Sequence, residues 1–156
     1  MPQVETVESL DESVGYALKR AASALRGGMD AALRPLELTV PQYACLELLA
    51  QRPGLSNADL ARGAFVSRQS MNLVLRGLQE RALVTRPATA PKGRALPSRL
   101  TPEGRRQLHA ASVAVRAVER QMLTPFSPAH QERLLRDLDA CVAALAPGQA
   151  DSSATS

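Results

Sequence analysis

SNADLARGAFVSRQSMNLVLRGLQERAL, residues Ser56 to Leu83, reads as two short helices joined by a tight turn. Ser67 can cap the second helix, because its hydroxyl accepts from the free N–H groups of the first turn. Met71, Val74, Leu75 and Leu78 then recur at i, i+3, i+4 and i+7, the spacing of one buried face. The opposite face carries Gln69, Asn72, Arg76 and Gln79, with Arg68 at the helix start. These side chains can hydrogen-bond base edges: Gln and Asn pair with adenine and Arg with guanine, each through two bonds, which suits a major groove. In the first helix, Ser56 with Asp59 three residues later forms a capping-box-like start, and Leu60, Ala61 and Ala64 point inward. Gly63 to Val66 is the turn. The pattern predicts a helix-turn-helix; the plain alternative is a piece of an ordinary helical bundle.

The surrounding chain supports the first reading through its charge. The net charge is +4 over 156 residues, but Arg62 to Arg106 holds ten basic residues against two acidic ones, so the rest of the chain is net negative. Positive charge concentrated on and just after the second short helix is an electrostatic footprint for phosphate. Hydrophobic residues make up 45% of the chain and aromatic ones only 3%, with no Trp, two Tyr and two Phe. One α-helical domain with a Leu, Val and Ala core is therefore expected. So few rings argue against binding single strands by base stacking.

Upstream, Met1 to Glu8 is a loose lead-in. Ser9 with Glu12 offers a capping-box-like start for a long helix whose stripe is Leu10, Val14, Ala17, Leu18, Ala21, Leu25 and Met29, ending near Leu33 before Pro35. Gly27 and Gly28 weaken it by about 1 kcal/mol each relative to Ala, so they mark a bend or a close helix crossing. Thr39, Pro41 and Gln42 start a second helix that runs to about Gln51, with Cys45, Leu46, Leu48 and Leu49 on its apolar side, and Pro53-Gly54 stops it. Leu55 can add a short extended step.

Downstream, Leu83 to Arg86 and Ala95 to Leu100 read as two strands around a proline- and glycine-containing loop, a hairpin with a basic tip. Such a hairpin directly after the second short helix is the wing of a winged helix. Thr101-Pro102-Glu103 opens a helix with the stripe Leu108, Ala111, Val115, Val118 and Met122. Ser127-Pro128 opens a last one that turns Leu134, Leu135, Leu138, Cys141, Val142 and Leu145 inward, with Pro147-Gly148 as its end and a small polar tail, expected to be disordered, after it.

Cys45, Cys141, His109 and His130 are too scattered for a metal site, and no nucleophile-and-base pair, carboxylate cluster or phosphate-cradling glycine loop suggests an enzyme. No cofactor is expected. No signal peptide or apolar span is visible, so no membrane association and a cytoplasmic location are expected.

This order of elements, from about Leu10 to Leu145, resembles the multiple antibiotic resistance regulator (MarR) family. The most specific match is the wing: Leu83-Val84 with Arg86, then Gly93-Arg94-Ala95 and Leu100-Thr101-Pro102-Glu103-Gly104-Arg105. Leu36-Glu37-Leu38-Thr39-Val40-Pro41-Gln42-Tyr43 looks like the family's approach to its second helix. The resemblance implies a mostly α fold with a small β-hairpin wing, in which residues 39–101 form the winged helix-turn-helix and residues 9–34 and 102–146 the dimerisation helices. It implies a homodimer on a pseudo-palindromic double-stranded operator, with half-sites about one turn apart, acting as a ligand-responsive repressor.

By position, Ser67, Arg68, Gln69, Ser70, Asn72 and Arg76 fall where the family's recognition helix meets bases and phosphates, and Arg94 matches its minor-groove wing arginine; Arg86 and Lys92 flank the wing. Three positions depart from the pattern. Lys92 stands where many members have an Asp that pairs with the wing arginine, Phe65 where a helix-turn-helix often has Gly, and Ala82 where the recognition helix usually ends in Gly. The family's small aromatic or anionic effectors would place Tyr16, Lys19, Arg20, Gln42 and Tyr43 as candidate ligand groups; the bland reading makes them half-buried rings and solvated charges. Thiol-based sensing through Cys45, as in some relatives, would need exposure and positive surroundings, and none is evident in the flanking residues. A protein-interaction adaptor using the basic patch is the alternative from another class.

Overall fold

The structure is a computed structural model, and it describes residues 9–86 and 98–147. Each helix starts where a side chain can replace a missing backbone acceptor. Helix α1 (Val14–Leu33) is capped by Ser13, whose Oγ accepts from the Tyr16 N–H at 3.2 Å. This corrects the expectation of a start at Ser9. Ser9 makes no side-chain cap, and Leu10–Glu12 close only a 3-10 turn. A second 3-10 turn, Arg34–Leu36, takes up Pro35 and ends with Glu37 in the left-handed region. Helix α2 (Val40–Gln51) has a complete capping box: Thr39 Oγ1 accepts from the Gln42 N–H, and Gln42 Oε1 accepts from the Thr39 N–H at 3.0 Å.

Helix α3 (Asn57–Gly63) repeats the device with Ser56 and Asp59, and α4 (Arg68–Glu80) is capped by Ser67 Oγ, which accepts from the Ser70 N–H at 3.1 Å. The α3–α4 turn is held by the Val66 N–H donating to Ala61 O, with Phe65 left-handed at φ 58°. Strands β1 (Val84–Thr85) and β2 (Arg99–Leu100) pair antiparallel, Val84 opposite Leu100 and Thr85 opposite Arg99. The hairpin expected from Leu83 to Leu100 is thus present at its base; its loop and tip, residues 87–97, lie outside the described residues, as do residues 1–8 and the tail from 148 on.

The chain divides into two compact units. The first, up to Glu119, holds α1 to α4, both strands and most of α5 (Pro102–Leu123). Its core is Leu33, Leu38, Cys45, Leu46, Leu49, Leu60, Ala61, Met71, Leu75, Leu78, Leu83, Val84, Leu108 and Ala111. The α4 stripe is buried as its period requires, with Val74 half-buried. Three glycines permit close crossings, Gly63 against Leu48 among them. A Cβ on Gly28 would lie 2.8 Å from Val118 Cγ1, and one on Gly104 would lie 2.1 Å from the Leu83 carbonyl oxygen, whereas Gly27 faces open space. Gly104 therefore lets the start of α5 press on the base of the wing. Thr101 locks this corner: its Oγ1 donates to Ala82 O and accepts from the Gly104 N–H.

The second unit, from Arg120, holds the last turn of α5 and α6 (Pro128–Leu145). Its turn is closed by Gln131 Nε2, which donates to the carbonyls of Leu123 and Phe126, and by the Phe126 and His130 rings at 4.7 Å. Here the inward assignment of the last helix fails. No residue of α6 is buried, and Leu135, Leu138, Val142 and Leu145 are exposed. The same holds at the other end, where Leu10, Val14 and Leu18 are exposed. Amphipathic periodicity identifies an apolar face but not what covers it.

Candidate nucleic-acid interface

Packing of Met71, Leu75 and Leu78 into the core turns the other side of α4 outward. Arg68, Gln69, Ser70, Asn72, Arg76 and Gln79 are all exposed, and so is the capping Ser67. Ser67 Oγ also donates to Ser70 Oγ at 3.0 Å, so both hydroxyls sit together at the helix start. Among the described residues, Arg68, Arg76, Arg86, Arg99 and Arg105 have no carboxylate partner, while Arg62 pairs with Asp59 and Arg106 with Glu103. Two hydrogen bonds from Ser56, more than the nearby Arg62, hold the Asp59 carboxyl below its ordinary range, so its charge serves the α3 cap.

The basic footprint is smaller than a residue count suggests. Arg81 is turned back into the protein, where its guanidinium donates to the Glu37 and Leu36 carbonyls and ties the end of α4 to the α1–α2 turn. It is a structural arginine. Arg86 lies exposed just beyond β1. Lys92 and Arg94, the wing-tip candidates, lie outside the described residues. Arg99, which the site assignment from sequence passed over, sits opposite Thr85 at the wing base. With Arg105 it lines a cavity of about 640 Å³ whose other walls include Leu49, Pro53, Ser98 and Leu100.

Asn57 is a second residue that sequence reasoning missed. Its Nδ2 donates to Asn72 Oδ1, joining the first residue of α3 to the middle of α4. Fifteen residues separate the pair, so no local periodicity could have revealed it.

The five candidate ligand groups lie on α1 and α2. Arg20 lies over the Tyr16 ring, 6.0 Å from its centre, and Lys19 is exposed beside them on α1. Gln42 is engaged in the α2 capping box. Tyr43 is half-buried; burial raises its pKa, opposed by the neighbouring Ser112 hydroxyl. Neither the cavity above nor a second one bounded by Leu48, Arg52, Leu55, Asp59, Arg62, Gly63 and Phe65 contains any of the five. Cys45 is fully buried, and burial pushes its thiol up to about 12, so it carries no thiolate at neutral pH. Cys141 is exposed. No helix among the described residues is long and apolar enough to cross a membrane.

The family model described as the MarR family matches residues 36–95. The HTH-type transcriptional repressor Rv2887 of Mycobacterium tuberculosis is 43% identical over 129 residues, which is 83% of this chain and 93% of the repressor. Its crystal structure in complex with DNA superposes with a TM-score of 0.70 at 40% identity, covering 83% of this chain and 97% of that one. The complex of the same protein with p-aminosalicylic acid gives 0.71 at 42% identity, covering 83% and 98%. The outward polar face of α4, the wing base locked by Thr101 and Gly104, and this extended identity lead to one assignment: the chain belongs to the MarR family of winged helix-turn-helix proteins.

Proposed function

We propose that this protein is a homodimeric, ligand-responsive transcriptional repressor that reads a pseudo-palindromic double-stranded operator. The observation that carries the reading is the exposed row Gln69, Asn72 and Arg76 on a helix whose other face is locked in the core. Such a row is suited to base edges. Arg68, Ser67 and Ser70 at the helix start, with Arg86, Lys92 and Arg94 of the wing, are the proposed phosphate and minor-groove contacts. The repressor name of the relative and its DNA complex support this reading.

Homodimerisation is supported by the exposed apolar side chains of α1 and α6. A small aromatic acid is the proposed effector, on the strength of the relative's complexes with salicylic and p-aminosalicylic acid, with Tyr16, Lys19, Arg20, Gln42 and Tyr43 as candidate contacts. The protein carries no catalytic step in this account and acts in the cytoplasm. Fluorescence anisotropy on DNA upstream of its own gene tests the proposal. Binding should be sequence-selective and weaken steeply with salt, as phosphate neutralisation demands. Arg76→Ala should lower selectivity at one base pair per half-site by about 1 to 3 kcal/mol, and salicylate should release the DNA. Binding indifferent to sequence would overturn it.

A further inference from the structure

Asn57, the first residue of α3, holds the amide of Asn72 on the outward side of α4. The Asn57 Oδ1 is buried and accepts no hydrogen bond among the described residues, while its Nδ2 donates to Asn72 Oδ1. Turning the Asn57 amide over would bury an NH2 group with no acceptor in place of a lone carbonyl oxygen, and orphaned buried N–H groups are rarer in folded proteins than under-satisfied carbonyl oxygens. The Asn57 amide is therefore fixed with its nitrogen toward α4. Asn72 in turn must present its oxygen to Asn57, and what it offers outward is its NH2 group.

We propose that Asn57 is a positioning residue for specificity, which makes Asn72 a hydrogen-bond donor that selects a keto base, guanine or thymine, in place of the two-bond pairing with adenine that its residue type alone suggests. The physical basis is the major-groove code. Guanine O6 and N7 and thymine O4 accept, whereas adenine N6 and cytosine N4 donate. An NH2 facing the groove matches the first pair and repels the second. The inference rests on α4 reading bases, and the experiment separates the two ideas.

Selection from a randomised duplex library, sequenced for the wild type and for Asn72→Ala, Asn57→Ala and Asn57→Asp, tests it. Asn72→Ala should flatten one column of each half-site, and in the wild type that column should be guanine or thymine by about ten-fold. Asn57→Ala frees the Asn72 amide to turn, so adenine should enter the column while the others keep their preference. Asn57→Asp supplies only acceptors, turns the Asn72 oxygen outward and should reverse the column to adenine or cytosine; an anion is favourable in the first turn of α3, which assists folding of this variant. A wild type that selects no motif overturns base reading by α4, and the inference with it. A motif from which Asn72→Ala removes nothing, or a keto column that survives both Asn57 substitutions, overturns the inference alone, since a merely structural Asn57 would lower affinity without changing one base.

Discussion

Ala82 holds φ at 58° directly after α4, donating its N–H to Gln79 O and accepting from Thr101 Oγ1. A Cβ in this left-handed region costs about 1 kcal/mol, which glycine would not incur. Ala82→Gly should therefore raise the urea midpoint by an equivalent of about 1 kcal/mol with an unchanged slope; no gain would mean the strain is relieved elsewhere. Phe65 has the same backbone and is 94% exposed, so its side chain contributes no packing in return. Cys45 makes a chemical prediction. Its thiol pKa is raised from 9.0 to about 12 by burial, so the folded state keeps the neutral form. Its contribution to stability is complete below pH 9 and is lost as pH climbs toward 12, because only the unfolded thiol ionises. At neutral pH a maleimide reagent should label Cys45 only after unfolding. Rapid labelling of Cys45 in the folded protein would remove the buried thiol.

At the scale of elements, glycines that look alike in the sequence have opposite roles. Gly27 faces open space within α1, so Gly27→Ala should stabilise the protein by about 1 kcal/mol through helix propensity. Gly104 touches backbone, the Leu83 carbonyl oxygen that also accepts from the Thr101 N–H. Gly104→Ala cannot be absorbed by a rotating side chain and should cost about 2 to 3 kcal/mol. It should also weaken DNA binding, because α5 would be pushed off the wing base. Thermal unfolding of the two variants gives the signs, and a neutral Gly104→Ala would contradict the close crossing. The same logic explains Arg81, a cation by composition and a strut by position.

For the whole molecule, the exposed apolar residues are the decisive fact. Leu135, Leu138, Val142 and Leu145 recur on one side of α6, and Leu10, Val14 and Leu18 are exposed around the start of α1. Burying a fully exposed side chain of this kind releases about 1.5 to 3 kcal/mol, and these seven, 39 to 87% exposed, offer enough together to hold a dimer. Leu138→Glu with Val142→Glu should yield monomers in sedimentation velocity and reduce operator affinity, since two half-sites about one turn apart need two linked winged helices. A variant that stays dimeric would place the interface elsewhere.

The caps from α2 onward, the α4 stripe and the helix order were legible in the chain because they arise from contacts a few residues apart: Thr39 with Gln42, Ser56 with Asp59, and Met71 with Leu75 and Leu78. The α1 cap, expected at Ser9 and found at Ser13, was not. Local spacing also placed Gln69, Asn72 and Arg76 on the outer side of α4. Contacts across the fold decided the rest. The withdrawal of Arg81 from the basic surface, the grip of Asn57 on Asn72 and the depth of Cys45 depend on which segments meet, and hydrogen bonding and burial between distant residues leave no period in the sequence.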